Sequence, residues 1–173
     1  QMKDADGFRR KMNRLTPMED NTDLLRPFGV FACIAPFNFP LALACGMSSA
    51  ALVAGNTVVF KPAQDTPWTG LRMYRIYREA GVPGDVLHFV SGRGSVIGDA
   101  LWRHPKVDGI VFTGSKDVGL RMFKDFSTRW VKPCLTELGG KNAAIVMESA
   151  DLDAAAEGVM RSAWGLQNQK CSA

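Results

Sequence analysis

Apolar positions along the chain fall into short β-branched runs separated by longer stretches with helical spacing. The run 28–34 (FGVFACI) predicts a strand, and the Ala/Leu/Met-rich stretch 40–53 predicts a helix. Ala54-Gly55-Asn56 then sets off a short buried strand at 57–60. An amphipathic pattern over 69–80 predicts a helix, stopped by Gly81 and Pro83. The alternation continues with a strand at 86–90, a helix at 95–103 ended by His104-Pro105, a strand at 107–112 and a helix at 117–126. Brief strands are expected at 135–137 and 143–147. Over 151–164, Leu152, Ala155, Val159, Met160, Ala163 and Trp164 share the buried face of a last helix. Residues 1–14 are charged and read as the tail of a helix; 15–27 read as an extended connector or hairpin. Strands alternating with helices indicate βαβ units and a parallel sheet. Right-handed crossovers make this a doubly wound α/β domain.

Composition narrows the picture. The chain has 173 residues, 46% hydrophobic and 22% charged, which suits one domain or one domain plus a piece of another. It begins with Gln1 and ends two residues after Cys171, so a fragment of a longer polypeptide is expected. No apolar run is long enough to span a membrane, and no membrane partner is expected. The net charge of +4 is scattered apart from Arg9, Arg10, Lys11 and Arg14, which read as a solvated helix face; no nucleic-acid partner is expected. The cysteines are Cys33, Cys45, Cys134 and Cys171, with no CxxC pair, and the only histidines are His88 and His104. Zinc-ligand spacing is absent, so no metal is expected, and reduced thiols fit a cytoplasmic protein. Cys33 and Cys45 lie in apolar runs and are expected to be buried and inert; Cys134 is expected in or near the core.

Ligands of doubly wound sheets bind beyond the carboxyl ends of the strands, so the segments after each strand carry the candidate chemistry. Lys61-Pro62-Ala63 follows the second core strand; the lysine reads as a ligand for a phosphate or ribose hydroxyl, or as a solvated loop residue. Gly92-x-Gly94-x-x-x-Gly98 is one residue longer than the usual dinucleotide fingerprint. Gly114-Ser115 ends the strand closed by Phe112 and opens a second helix N-terminus suited to a phosphate. These glycines serve a nucleotide or serve only to turn the chain. Glu137, followed by Leu138-Gly139-Gly140, reads as a general base or as a surface residue before a turn. Cys171, beside Lys170, reads as an activated nucleophile or as an inert thiol.

PFNFP (36–40), FKPAQDTP (60–67), FTGSKDVG (112–119), TELGGKN (136–142) and NQKCSA (168–173) stand in the order and spacing of the aldehyde dehydrogenase superfamily, which the chain resembles from about Arg26 to Ala173. QKCSA and the KPAQDTP run look most like the 1-pyrroline-5-carboxylate (glutamate semialdehyde) dehydrogenases. The resemblance implies Cys171 as nucleophile, Glu137 as general base and Asn38 as the side-chain donor of an oxyanion hole, with the Cys171 backbone N–H as second donor. It implies a nicotinamide cofactor, NAD with NADP possible, held by Lys61, Ala63, Gln64, Gly94, Gly98, Phe112, Gly114, Ser115 and Leu138. It divides the chain into a connector and part of an oligomerisation arm (1–27), a cofactor domain (28–137) and the beginning of a catalytic domain (138–173). The implied reaction oxidises a small-molecule aldehyde to an acid, and the full-length protein is expected to be a homo-oligomer. Two positions depart from the family pattern: Gln64 replaces a frequent glutamate, and Asn168 stands where a glycine usually precedes Gln169. Acyl transfer to coenzyme A is the related alternative, disfavoured by the presence of Glu137. A nucleotide-binding module without catalysis, and a scaffold role, are the other readings.

Overall fold

The computed structural model describes residues 9–173. A small antiparallel hairpin comes first, β1 (Arg9–Lys11) paired with β2 (Thr22–Leu24). The expectation of a helix tail is therefore corrected over 9–11, and residues 1–8 lie outside the described part. Basic side chains there face solvent on a strand rather than on a helix, with Arg10 paired to Asp23 and Lys11 to Asp20. The hairpin reading of the connector holds for β2.

The sheet contains β3 (Val30–Ile34), β4 (Thr57–Lys61), β5 (Leu87–Phe89), β6 (Gly109–Gly114) and β7 (Cys134–Leu138), all parallel, in the spatial order β5-β4-β3-β6-β7. The chain moves outward from β3 through β4 to β5, then crosses back to place β6 on the other side of β3. Strand order reverses between β3 and β6, and the crevice above that point is where such sheets bind ligands.

Strand periodicity explains the two-sided core. Phe31 and Cys33 point into a cluster with Val58, Phe60, Leu87 and the helices α1 (Ala42–Val53) and α2 (Pro67–Glu79). Ala32 and Ile34 point the other way, against Ile110, Phe112, Trp102 of α3 (Asp99–Trp102) and Met122 and Phe126 of α4 (Lys116–Phe126). Successive side chains on a strand face opposite sides, so a strand covered on both faces is apolar throughout.

The structure departs from the sequence expectations in three further places. Cys45 is exposed, because Ala44, Ser48 and Ala51 form the buried face of α1 and Cys45 lies one step round the helix from it. The segment 143–147 is not a strand: no described strand lies beside it, and Ile145 is 85% exposed. The helix expected at 95–103 starts as a π-helical turn, Gly94–Gly98, before continuing as α3. A π turn spans one more residue than an α turn, and this is where the extra residue of the Gly92–Gly98 motif is accommodated. Cys33 is buried as expected and its thiol is pushed up to about 12 by burial; Cys134 is half-buried against the second core cluster and is also raised by burial.

The last helix, α5 (Leu152–Trp164), is capped by Asp151, whose carboxylate accepts the N–H groups of Asp153 and Ala154, each at 3.0 Å. None of its residues is buried. The buried face anticipated from its periodicity is present as a pattern but has no packing partner among the described residues.

Candidate active site

A cleft of about 440 Å³ opens at the reversal point between β3 and β6. Ile34 and Ala35 line it from the end of β3, Lys61 and Gln64 from the end of β4, Phe112 and Ser115 from the end of β6, and Gly94 and Gly98 from the π turn. Six of the nine residues singled out for a cofactor thus meet in one place although they come from three separate segments of the chain. Ala63, Gly114 and Leu138 do not line it. Leu138 instead packs against α4, where a Cβ on Gly119 would lie 2.3 Å from its Cδ2, so the glycine lets helix and strand approach closely. A larger depression of about 560 Å³ between α3 and the 128–132 turn carries none of the selected residues.

Lys61 is the least ordinary group in the cleft. It is 5% exposed, and its ammonium donates to the Pro62 carbonyl at 2.9 Å. Among the described residues it has no ion pair, and burial lowers its pKa from the usual 10.5. A buried cation with one neutral partner has unused donors. Ser115, the N-cap of α4, does not cap the helix with its side chain, so the N–H groups of the first turn are left without a side-chain cap among the described residues. Gly94 faces open space. A buried ammonium, an uncapped helix start and a glycine opening fit a ligand bearing hydroxyls and phosphates, as a dinucleotide does.

The second cluster surrounds the turn that carries Cys171. After α5 the chain enters a left-handed turn, with Leu166 and Gln167 at φ 55° and Asn168 at φ 60°. Asn168 therefore occupies a conformation that favours glycine, and asparagine is among the few other residues that adopt it readily. The departure from the usual glycine is in this way conformationally conservative.

Asn38, in the loop after β3, donates its Nδ2 to the Gln169 carbonyl at 2.7 Å across 131 positions of sequence. Its Oδ1 accepts the Phe39 N–H at 3.1 Å, which fixes the amide at both ends. A primary amide carries two N–H groups, so one remains for a ligand. The backbone N–H of Cys171 makes no hydrogen bond among the described residues, and its side chain is half-buried. Glu137 sits on β7 opposite Thr113 of β6, with its side chain exposed. The sequence reading missed Asn142: its Nδ2 donates to the carbonyls of Cys171 at 2.8 Å and Ala173 at 3.0 Å. The only signal for it was its place at the end of TELGGKN.

The chain is similar to known proteins in sequence and in structure. A 1-pyrroline-5-carboxylate dehydrogenase of Bacillus thuringiensis (strain Al Hakam) is 44% identical over 162 residues, covering 91% of this chain and 32% of that protein. The chain thus spans about a third of the length of the curated relatives it matches. A 1-pyrroline-5-carboxylate dehydrogenase from Thermus with bound NAD superimposes with a TM-score of 0.81 at 45% identity, over 85% of this chain and 30% of that one. An NADP-dependent glyceraldehyde-3-phosphate dehydrogenase from Bacillus halodurans, complexed with NADP, gives a TM-score of 0.79 at 42% identity, over 84% and 30%. The sequence profile of the aldehyde dehydrogenase family matches residues 2–173, so the cleft at the strand reversal and the tethered cysteine turn belong to a member of the aldehyde dehydrogenase family.

Proposed function

We propose that this chain carries the cofactor cleft and the nucleophile of an NAD(P)-dependent aldehyde dehydrogenase that oxidises an aldehyde to a carboxylic acid. The observation that carries the reading is the 2.7 Å bond from Asn38 to the Gln169 carbonyl, which brings a side-chain donor to the turn holding Cys171. The thiolate of Cys171 adds to the aldehyde carbon, forming a C–S bond and placing negative charge on the former carbonyl oxygen. The free N–H of Asn38 and the backbone N–H of Cys171 receive that charge; one such donor is worth about 3–4 kcal/mol. NAD or NADP, when bound, supplies the hydride acceptor that converts a thiohemiacetal into a thioester. Glu137 takes a proton from a water attacking the thioester carbon; the C–S bond breaks, the water oxygen stays in the acid, and Cys171 leaves as thiolate.

Lys61, Gln64 and the free N–H groups at Ser115 would hold the cofactor through its hydroxyls and phosphates, with Gly94, Gly98 and Phe112 shaping the cleft and Ala63, Gly114 and Leu138 lying outside its lining. Gln64 has no charge to repel a 2′-phosphate, so NADP is accommodated along with NAD. Glutamate semialdehyde is the substrate favoured by the similarity to 1-pyrroline-5-carboxylate dehydrogenases. Residues 138–173 act as the start of the catalytic domain, and the protein works as a homo-oligomer in the cytoplasm. By itself the 173-residue chain binds the cofactor weakly and turns over negligibly.

Titration with NAD and then NADP, following the fluorescence of the four tryptophans, tests the cleft. Saturable binding weakened by Lys61→Ala is the expected result. A titration with no saturable change, or one unmoved by Lys61→Ala, would overturn the assignment of the cleft. Robust aldehyde oxidation by the isolated chain would overturn the expectation of negligible turnover.

A further inference from the structure

The turn that carries Cys171 is not held by packing. No residue of 165–173 is buried, and the three residues Leu166, Gln167 and Asn168 are all left-handed. Apart from the Gly165 N–H, which bonds back to the Arg161 carbonyl of α5, the hydrogen bonds that join this segment to another among the described residues come from two side-chain amides, those of Asn38 and Asn142. Asn38 holds the Gln169 carbonyl, in the peptide before the one that contains the Cys171 N–H. Asn142 holds the Cys171 carbonyl, in the peptide after it, and the Ala173 carbonyl as well. The Lys170 carbonyl, in the same peptide as the Cys171 N–H, accepts the Ala173 N–H at 3.3 Å. Three consecutive peptide planes are therefore fixed, and the Cys171 N–H between the two clamps makes no hydrogen bond among the described residues.

We propose that Asn142 is a positioning residue for the nucleophile: by holding the Cys171 and Ala173 carbonyls it keeps the Cys171 N–H aimed at the oxygen of a bound aldehyde. The proposal rests on the reading of Cys171 as nucleophile. Asn142 itself does not touch the reacting atoms. Both of its N–H groups are spent on the two carbonyls, so it has none to offer a ligand. Its effect is geometric, and misplacement of a catalytic group by about 1 Å can cost on the order of a hundredfold.

Reversible addition of an aldehyde to Cys171 needs no cofactor: the thiol S–H adds across the C=O, the C–S bond forms and the proton ends on oxygen. The test is protection of Cys171 by propionaldehyde against alkylation by iodoacetamide, followed peptide by peptide by mass spectrometry, with exposed Cys45 as internal reference. Wild type is compared with Asn142→Asp, which keeps the shape and loses both donors, and with Asn142→Gln, which keeps the donors on a longer arm. Asn142→Asp is expected to need about tenfold more aldehyde for half-protection, with Asn142→Gln recovering part of the loss and the nucleotide titration unchanged. A merely structural role would lower thermal stability and nucleotide binding together and leave protection at the remaining folded fraction unchanged. Half-protection of both variants within about twofold of wild type, with the wild-type chain itself protected, would overturn the role of Asn142 alone. Failure of the aldehyde to protect wild-type Cys171 would instead bring down the nucleophile reading, and the positioning role with it.

Discussion

The sheet region and the segment beyond β7 are built on opposite terms. From β3 to α4, side chains such as Phe60, Leu87, Ile110 and Met122 are fully buried, and the central strand β3 is covered on both faces. From Gly139 onward no residue is buried, and α5 keeps its apolar side chains in solvent. The first region is specified by close-packed apolar contacts, which are strong together and tolerant one by one. The second is specified by a few polar bonds: Asn38 to Gln169, Asn142 to Cys171, Asp151 to the start of α5. The cleft proposed for the cofactor belongs to the close-packed region, and the turn with the proposed nucleophile Cys171 to the tethered one. The chemistry proposed between them would depend on asparagine amides more than on hydrophobic burial.

Perturbing each region in turn sharpens the contrast. The largest expected effect is from Phe60→Ala, which empties a fully buried site at the centre of the first cluster and should cost about 3–5 kcal/mol in urea unfolding. A loss under about 1 kcal/mol would mean that the sheet does not carry the stability of the chain.

Lys61→Met comes next and should separate stability from binding. Burial disfavours the charged form of this lysine, so the folded state pays for its ionisation. Removing the charge should stabilise the fold while lowering nucleotide affinity about tenfold. The sign with pH follows from the lowered pKa. The penalty is full below the folded pKa, shrinks as pH rises through it, and is gone above the usual 10.5. The stability difference between variant and wild type should therefore close on the alkaline side. A difference that widens there would contradict the buried-cation reading.

Asp151→Ala should cost about 1 kcal/mol, confined to α5, and be visible as faster amide exchange at Asp153 and Ala154 with the sheet amides unchanged. The smallest effect is expected from Met160→Ala on the exposed side of α5, within about 0.5 kcal/mol of wild type. If Met160→Ala rivalled Phe60→Ala, the distinction between the regions would be lost.

How much of this was legible in the sequence also divides along that line. Strands buried on both faces announce themselves as continuous apolar runs, so β3, β4 and β6 were legible to within two residues at each end, and the strand–helix alternation set the doubly wound topology. The cleft was legible because glycines and Lys61 fall at strand ends, where the topology must bring them together. Cys45 was misjudged because an apolar stretch shows a helix without showing which side faces inward when small residues surround it. The strand expected at 143–147 failed because a ladder needs a neighbour, and β-propensity alone cannot supply one. Arg9–Lys11 misled because charge patterning does not distinguish an exposed strand from an exposed helix. Asn142 was invisible for a different reason: an asparagine in a polar loop has no pattern, and its role exists only in its contacts with residues 29 and 31 positions away.

The π turn at Gly94–Gly98 carries a consequence for how this protein can vary. Substitution changes what a site touches; insertion and deletion change where the chain goes next. A first helical turn with one surplus residue is a place where length can change without disturbing the elements on either side. Val96 within it is 70% exposed and Gly94 borders open space, so removing one residue there sacrifices little packing. The mouth of the cleft is consequently the part of this otherwise close-packed sheet domain best able to absorb a change in chain length, and cleft width can be altered there by deletion while every lining side chain is kept.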